Sequence, residues 1–183
     1  MSKFIPVLLS LLLIAGMLFI FLKDTPGPKK IDFDRDMQFD LDIEGLTLEQ
    51  GGGEKKFWEL EASRAAFLRV ENEYLLFEPV MIYYRQDESP PLRIQASQGR
   101  INQNDQVMQM WPDVRAESDG LTTRSDRATY LEDSGCILLE GNVVFTGRGV
   151  VIKASSGLID LEEDTIAATG GVQTNIIDAE DEP

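Results

Sequence analysis

Residues 151–164 read VIKASSGLIDLEED, and residues 92–105 read LRIQASQGRINQND. In both, an alternating apolar stretch runs into Ala-Ser-x-Gly, continues through a second short apolar stretch, and ends in a polar cluster. The echo belongs to a longer pattern. Ala62, Ala96, Ser125 and Ala154 align at spacings of 34, 29 and 29 residues. Three residues later stand Ala65, Gly99, Ala128 and Gly157, and five later Phe67, Ile101, Tyr130 and Ile159. Fourteen later come Leu76, Met110, Leu139 and Ala168, and eighteen later a valine each time: Val80, Val114, Val143 and Val172. Four residues before each anchor stand Trp58, Leu92, Leu121 and Val150. Self-similarity at a period of about 20–50 residues indicates an array of stacked units.

Each unit reads as strands. Trp58, Leu60 and Ala62 alternate with Glu59, Glu61 and Ser63, and Val150, Ile152 and Ala154 keep the same parity. A period of two with one apolar face marks a half-buried strand. Parity then flips within ASRA, ASQG, SDRA and ASSG, which requires a bulge or a corner, and small residues suit both. Polar tips follow at one register (VENE, NQND, EDSG, EEDT), built of residues that tolerate tight turns. The chain returns and turns a second corner at Glu78-Pro79, Pro112-Asp113, Gly141-Asn142 and Gly170-Gly171. Every unit is thus a bent hairpin folded across two sheets. Residues 37–50 read as a half-unit, in which Ile43-Glu44-Gly45 echoes Leu139-Glu140-Gly141. The expected domain is all-β and spans 36–176.

Ahead of it, residues 4–22 carry no charge, and fourteen of these nineteen are Leu, Ile, Phe or Val. As a helix they reach about 28 Å, close to the hydrocarbon thickness of a bilayer. A cleaved signal peptide has an apolar run of about 7–15 residues and a small-x-small site, and neither is found here. Residues 1–23 therefore read as a retained transmembrane anchor, 24–35 as a linker, and 177–183 as a disordered acidic tail. Lys3 precedes the segment and Lys23, Lys29 and Lys30 follow it, so charge bias does not set its orientation. An N-terminus facing inward is preferred because everything expected to fold lies after the segment.

Composition narrows the chemistry. With no His, a Ser-His-Asp or Cys-His mechanism is excluded, and the single Cys136 forms no intrachain disulfide. No Cys/His set is present for zinc, no cofactor is expected, and the acidic residues are scattered as on a solvated surface. A net charge of −15 repels nucleic acid. The inward positions Phe67, Leu76, Ile94, Ile101, Met110, Leu121, Tyr130, Leu139, Val143, Phe145, Ile152 and Ile159 read singly as core. Together they line a long apolar slot suited to acyl chains.

An apolar N-terminal segment, a linker and repeated bent hairpins resemble the LptC family of lipopolysaccharide-export proteins. The local likeness is strongest in FWELEASRAAF (57–67), LRIQASQGRI (92–101), LLEGNV (138–143) and VIKASSGLIDLEED (151–164). The repeat is shared with LptA and with part of LptD. The resemblance implies a twisted, boat-shaped β-jellyroll in the periplasm, anchored in the inner membrane by one span. It implies a non-enzymatic carrier of lipopolysaccharide, supplied by the inner-membrane ABC transporter complex (LptB, LptF, LptG) and delivering to LptA. The acidic domain favours recognition through acyl chains over broad capture of phosphates. The competing reading is an anchored scaffold that carries no lipid; an enzyme using paired carboxylates comes third. An unclosed stack leaves a free strand at each end. The edge at Phe39, Leu41, Ile43 and Gly45 is expected to face the transporter, and that at Ile166, Val172, Thr174 and Ile176 to face LptA.

Overall fold

The computed structural model describes residues 41–52, 55–85, 89–102, 104–105 and 107–176. All of these belong to one compact unit, Gln38–Pro183. The expected anchor, the linker, Phe39 and the acidic tail lie outside the described residues. Among those described, no helix is long and apolar enough to cross a membrane.

The described residues form fourteen strands. They are β1 (Leu41–Gly52), β2 (Lys55–Leu68), β3 (Glu73–Phe77), β4 (Val80–Tyr83), β5 (Leu92–Gln95), β6 (Gln98–Asn102) and β7 (Val107–Trp111), followed by β8 (Val114–Ser118), β9 (Leu121–Ser125), β10 (Arg127–Leu131), β11 (Cys136–Gly147), β12 (Val150–Asp160), β13 (Thr165–Thr169) and β14 (Gln173–Ile176). A single 3-10 turn, Glu132–Ser134, is the one helical element among the described residues.

Pairing is antiparallel throughout and builds two walls. The first runs β1-β2-β3-β6-β7-β10-β11-β12-β13, and the second runs β1-β2-β4-β5-β8-β9-β11-β12-β14. The long strands β1, β2, β11 and β12 pass through both walls. Between them the chain is interrupted where it crosses from one wall to the other, so β3/β4, β6/β5, β7/β8 and β10/β9 are pairs of half-strands. Each bent hairpin of the repeat therefore supplies two rungs.

The corners form a common spine. Left-handed backbone recurs there at Gly45, Glu78, Asp113, Gly141, Asn142, Gly170 and Gly171. These are the second corners read from the sequence, together with Gly45 of the half-unit. The first corners, at Ser63, Ser97, Asp126 and Ser155, keep ordinary backbone and hydrogen-bond across to them. The Asp126 amide donates to the Glu140 and Gly141 carbonyls, Ser155 to Gly170, and Ser97 to Pro112. Sheet hydrogen bonding thus continues through the bend.

Gly141 carries the strongest demand, with φ of +74° and the Asp126 side chain seated where a Cβ would project. That Asp126 carboxylate also accepts a 2.8 Å hydrogen bond from Asn142 Nδ2. Gly141→Val is expected to cost about 1–3 kcal/mol, from left-handed strain in a β-branched residue plus the clash. Thermal unfolding followed by circular dichroism measures it, and an unchanged midpoint would remove the corner role.

Candidate functional site

Cross-strand register turns the repeat into continuous rows. On the first wall, Phe67, Tyr74, Ile101, Met108, Tyr130, Ile137, Ile159 and Ile166 stand in one row. The next row toward the spine holds Ile43, Ala65, Leu76, Gly99, Met110, Ala128, Leu139, Gly157 and Ala168. On the second wall, Leu48, Leu60, Met81, Ile94, Ala116, Thr123, Phe145, Ile152 and Thr174 align. Because side chains alternate across a sheet, each row keeps one face, and these rows pack against each other as one core.

Leu76, Ile94, Met110, Leu139, Val143 and Phe145 lie deep between the walls, each no more than 2% exposed. Ile101, Tyr130 and Ile159 are buried nearer the free edge of the first wall. Phe67 is half-buried there, its ring 4.8 Å from that of Tyr74. Leu121 and Ile152 are half-buried on the second wall. Ten of the twelve inward positions read from the repeat thus stand on these rows; Val143 lies beside them in the core and Leu121 packs against it from the second wall. Leu60, Met81, Met108 and Ile137, equally buried on the same rows, were not singled out in the sequence. Cross-strand register identifies them, and a repeat alignment by itself does not carry that register.

Away from the spine the walls meet along a mouth, between the tips of the first wall and the turns of the second. Two cavities open there. One, of about 330 Å³, lies between Leu48 and Trp58 of the second wall and Ile101, Met108 and Tyr130 of the first. The other, of about 240 Å³, lies between Leu92 and Leu121 and the facing Ile159 and Ile166. Early rungs of one wall face later rungs of the other, as accumulated strand twist requires. A larger hollow of about 670 Å³ sits behind the spine, lined by Ser63, Arg64, Pro79 and Arg115, and does not reach the inner rows.

Polar contacts fasten the mouth. Gln50 Nε2 donates to Glu132 Oε1 at 2.5 Å, and Gln50 Oε1 accepts from the Trp58 indole at 2.6 Å. Arg85 Nη1 reaches Asp164 Oδ1 at 2.7 Å. Between these clasps burial pushes the Tyr130 phenol up to about 12, with Glu132 and Tyr83 adding to the shift. Burial also raises Tyr83, with Glu162 contributing. Both phenols stay neutral at physiological pH.

The apolar slot expected from the sequence is thus closed in this structure. Ligand pockets usually span about 300–1,000 Å³, so the mouth cavities are at or below the lower limit. Side chains from facing rows fill the space. Among the described residues no group of carboxylates, Cys or His is arranged to hold a metal ion.

At both ends the stack stops unpaired among the described residues. β1 pairs only with β2, and β13 and β14 pair only with β12. Large exposed apolar side chains gather at these ends, Leu41 at the first and Ile166, Val172 and Ile176 at the last.

No curated protein matches the sequence. Among solved structures, the chain is similar to LptH from Pseudomonas aeruginosa, described as the LptA-homologous periplasmic component of the lipopolysaccharide transport device. The two are 9% identical, with a TM-score of 0.53 over 65% of this chain and 94% of that one. At this identity the likeness speaks for the fold. The sequence also matches the family described as lipopolysaccharide-assembly, LptC-related, over residues 8–176. A match over nearly the whole chain, joined to this fold, places the protein in the LptC family of lipopolysaccharide-assembly proteins.

Proposed function

We propose that the two walls part at the mouth and take the acyl chains of lipopolysaccharide between them. In this reading the domain faces the periplasm from an inner-membrane anchor at residues 1–23. It receives lipid from the inner-membrane ABC transporter complex and hands it to LptA, without catalysis of its own. The supporting observation is the pair of first-wall rows that stay apolar to β13, facing a second-wall row that is apolar except at Thr123 and Thr174.

Magnitudes favour such opening. A partly exposed ion pair contributes about 0.2–1 kcal/mol, so the Arg85–Asp164 clasp is a weak fastening. Burying a methylene yields about 0.8 kcal/mol, so one chain of about twelve carbons returns roughly 10 kcal/mol gross. That gross figure, for transfer from water, exceeds the clasps; the cost of parting the packed rows is set against it.

A scaffold that carries no lipid is the second reading, favoured by how completely the facing rows fill the interior. Photo-crosslinking separates the two. A photoreactive residue at Ile101 or Phe145 is expected to capture lipopolysaccharide in cells. One at Arg93 or Lys153, exposed on the opposite face of the strands, is expected to capture none. Equal labelling of both faces, or none at the inner positions, would favour the scaffold.

A further inference from the structure

The mouth is asymmetric in charge. The lip formed by the tips of the first wall is predominantly acidic, with Glu73, Glu132, Asp133, Asp160, Glu162 and Asp164 against Arg69 and Arg100. The 330 Å³ cavity shares that character, since Glu49 and Glu132 are its charged lining and no Lys or Arg borders it. The 240 Å³ cavity differs. Its floor is apolar, and two arginines of the second wall, Arg85 and Arg148, stand among its lining. They sit on separate turns, one after β4 and one between β11 and β12.

Each arginine already grips a carboxylate. Arg85 holds Asp164 of the opposite lip at 2.7 Å, and Arg148 Nη2 holds Asp119 Oδ2 at 3.1 Å. A guanidinium that binds a carboxylate presents the same planar fork to a phosphate oxygen, and exchanges one for the other without remodelling. Arg148 is 84% exposed and open to exchange, whereas Arg85 is 16% exposed and becomes reachable as the two-thirds exposed Asp164 swings away.

We propose that Arg85 and Arg148 form a headgroup station for a phosphorylated lipid whose acyl chain enters the cavity beside them. Asp164 occupies Arg85 while the mouth is closed, and an arriving phosphate displaces it. One group thereby unlatches the mouth and anchors the ligand. The acidic opposite lip repels phosphate, so the lipid enters in one orientation, headgroup toward the second wall. On a chain of net charge −15, this rim stands out by having its two aspartates, Asp119 and Asp164, balanced by two arginines. This inference rests on the lipid-carrier reading and adds headgroup recognition to it.

The test uses the full chain in mild detergent, with a photoreactive residue at Phe145. It is titrated with bisphosphorylated lipid A and, in parallel, with lipid A stripped of phosphate. Arg85→Gln and Arg148→Gln are each expected to weaken capture of the phosphorylated form about tenfold, the scale of a charge-assisted contact. Capture of the stripped form is expected to hold in Arg148→Gln and to hold or rise in Arg85→Gln, where the latch to Asp164 is lost as well, which reports that the fold is intact. Asp164→Asn, by freeing Arg85, is expected to raise capture of the phosphorylated form several-fold. Loss of both lipids alike, loss of neither, or a gain in Arg85→Gln matching that of Asp164→Asn would overturn the station. If the unsubstituted chain captures neither lipid, the carrier reading itself fails.

Discussion

Gly157→Val is expected to destabilise the domain by about 3 kcal/mol, at the upper end of the usual cost of overpacking a core. In a domain of this size that lowers the unfolding midpoint by about 10 °C. From the sequence, Gly157 reads as a corner residue, needed where two strands bend. The structure gives a different reason. The bend falls at Ser155, where the register of β11 against β12 shifts between Glu140 and Val143. Gly157 lies past it, inside β12 and opposite Leu139 and Ala168. A Cβ there would lie 2.7 Å from Phe145 Cζ, 3.1 Å from its Cε2 and 3.3 Å from Val143 Cγ1. Phe145 is 2% exposed and comes from the facing wall, so it has no free space to retreat into. Valine adds two further methyl groups to that clash.

The paired substitution Gly157→Val/Phe145→Leu discriminates between the explanations. If the glycine makes room for the ring, shortening the ring recovers part of the loss. If the glycine serves the backbone, the two costs add. Gly99 occupies the equivalent position one repeat earlier. A Cβ on it would lie 3.0 Å from the Gln109 carbonyl and 3.1 Å from Pro79 Cγ. Gly157 is therefore a spacer between walls, whereas Gly99 makes room for the neighbouring β7 carbonyl and the Pro79 corner, and the left-handed turning is done at the opposite corners.

The repeat made the fold legible because its offsets are geometric. Residues five past each anchor (Phe67, Ile101, Tyr130, Ile159) line the free edge of one wall. Residues four before it (Trp58, Leu92, Leu121, Val150) line the free edge of the other. Strand parity and a fixed hairpin length compel that placement, and both are properties of neighbouring residues in the chain. The clasps were not legible for the opposite reason. Gln50 and Glu132 are 82 positions apart and meet only because the stack twists by several rungs. Arg85 and Asp164 likewise occupy different units, in turns that the repeat does not constrain. The charge asymmetry of the mouth was hidden as well. A net charge describes the whole surface, whereas the lips are assembled from turns that only the register brings together.

Two lysines on the last rung, Ile166→Lys with Ile176→Lys, are expected to abolish capture of LptA while leaving association with the transporter complex intact. β13 and β14 together form this rung, and among the described residues each pairs on one side only. Their outer N–H and C=O rows are available to an added strand, a recognised mode of protein association. About five backbone hydrogen bonds, each net about 0.5–1.5 kcal/mol, support a transient micromolar contact once association costs are met. Ile176 is 77% exposed, so substituting it removes little buried surface; Ile166, 41% exposed at the end of an inner row, loses more, and circular dichroism of the double variant checks that the fold is kept. Lysine on an edge strand is also the device by which natural sheets discourage edge pairing. The matching change at the first rung, Leu41→Lys, affects a side chain 53% exposed on β1 and is expected to weaken the transporter contact alone. Pull-downs of both partners with both variants give four results, and the polarity of the stack predicts each of them. If Leu41→Lys lost LptA and the double variant lost the transporter, the stack would run in the opposite sense. If both variants kept both partners, strand addition at the ends would be ruled out as the mode of assembly. Loss of LptA alone in the double variant would place the exit of the apolar rows at Ile166 and Ile176. In that case the edge that recruits the partner would also extend the walls, and lipid would pass along rows of one register without re-entering water.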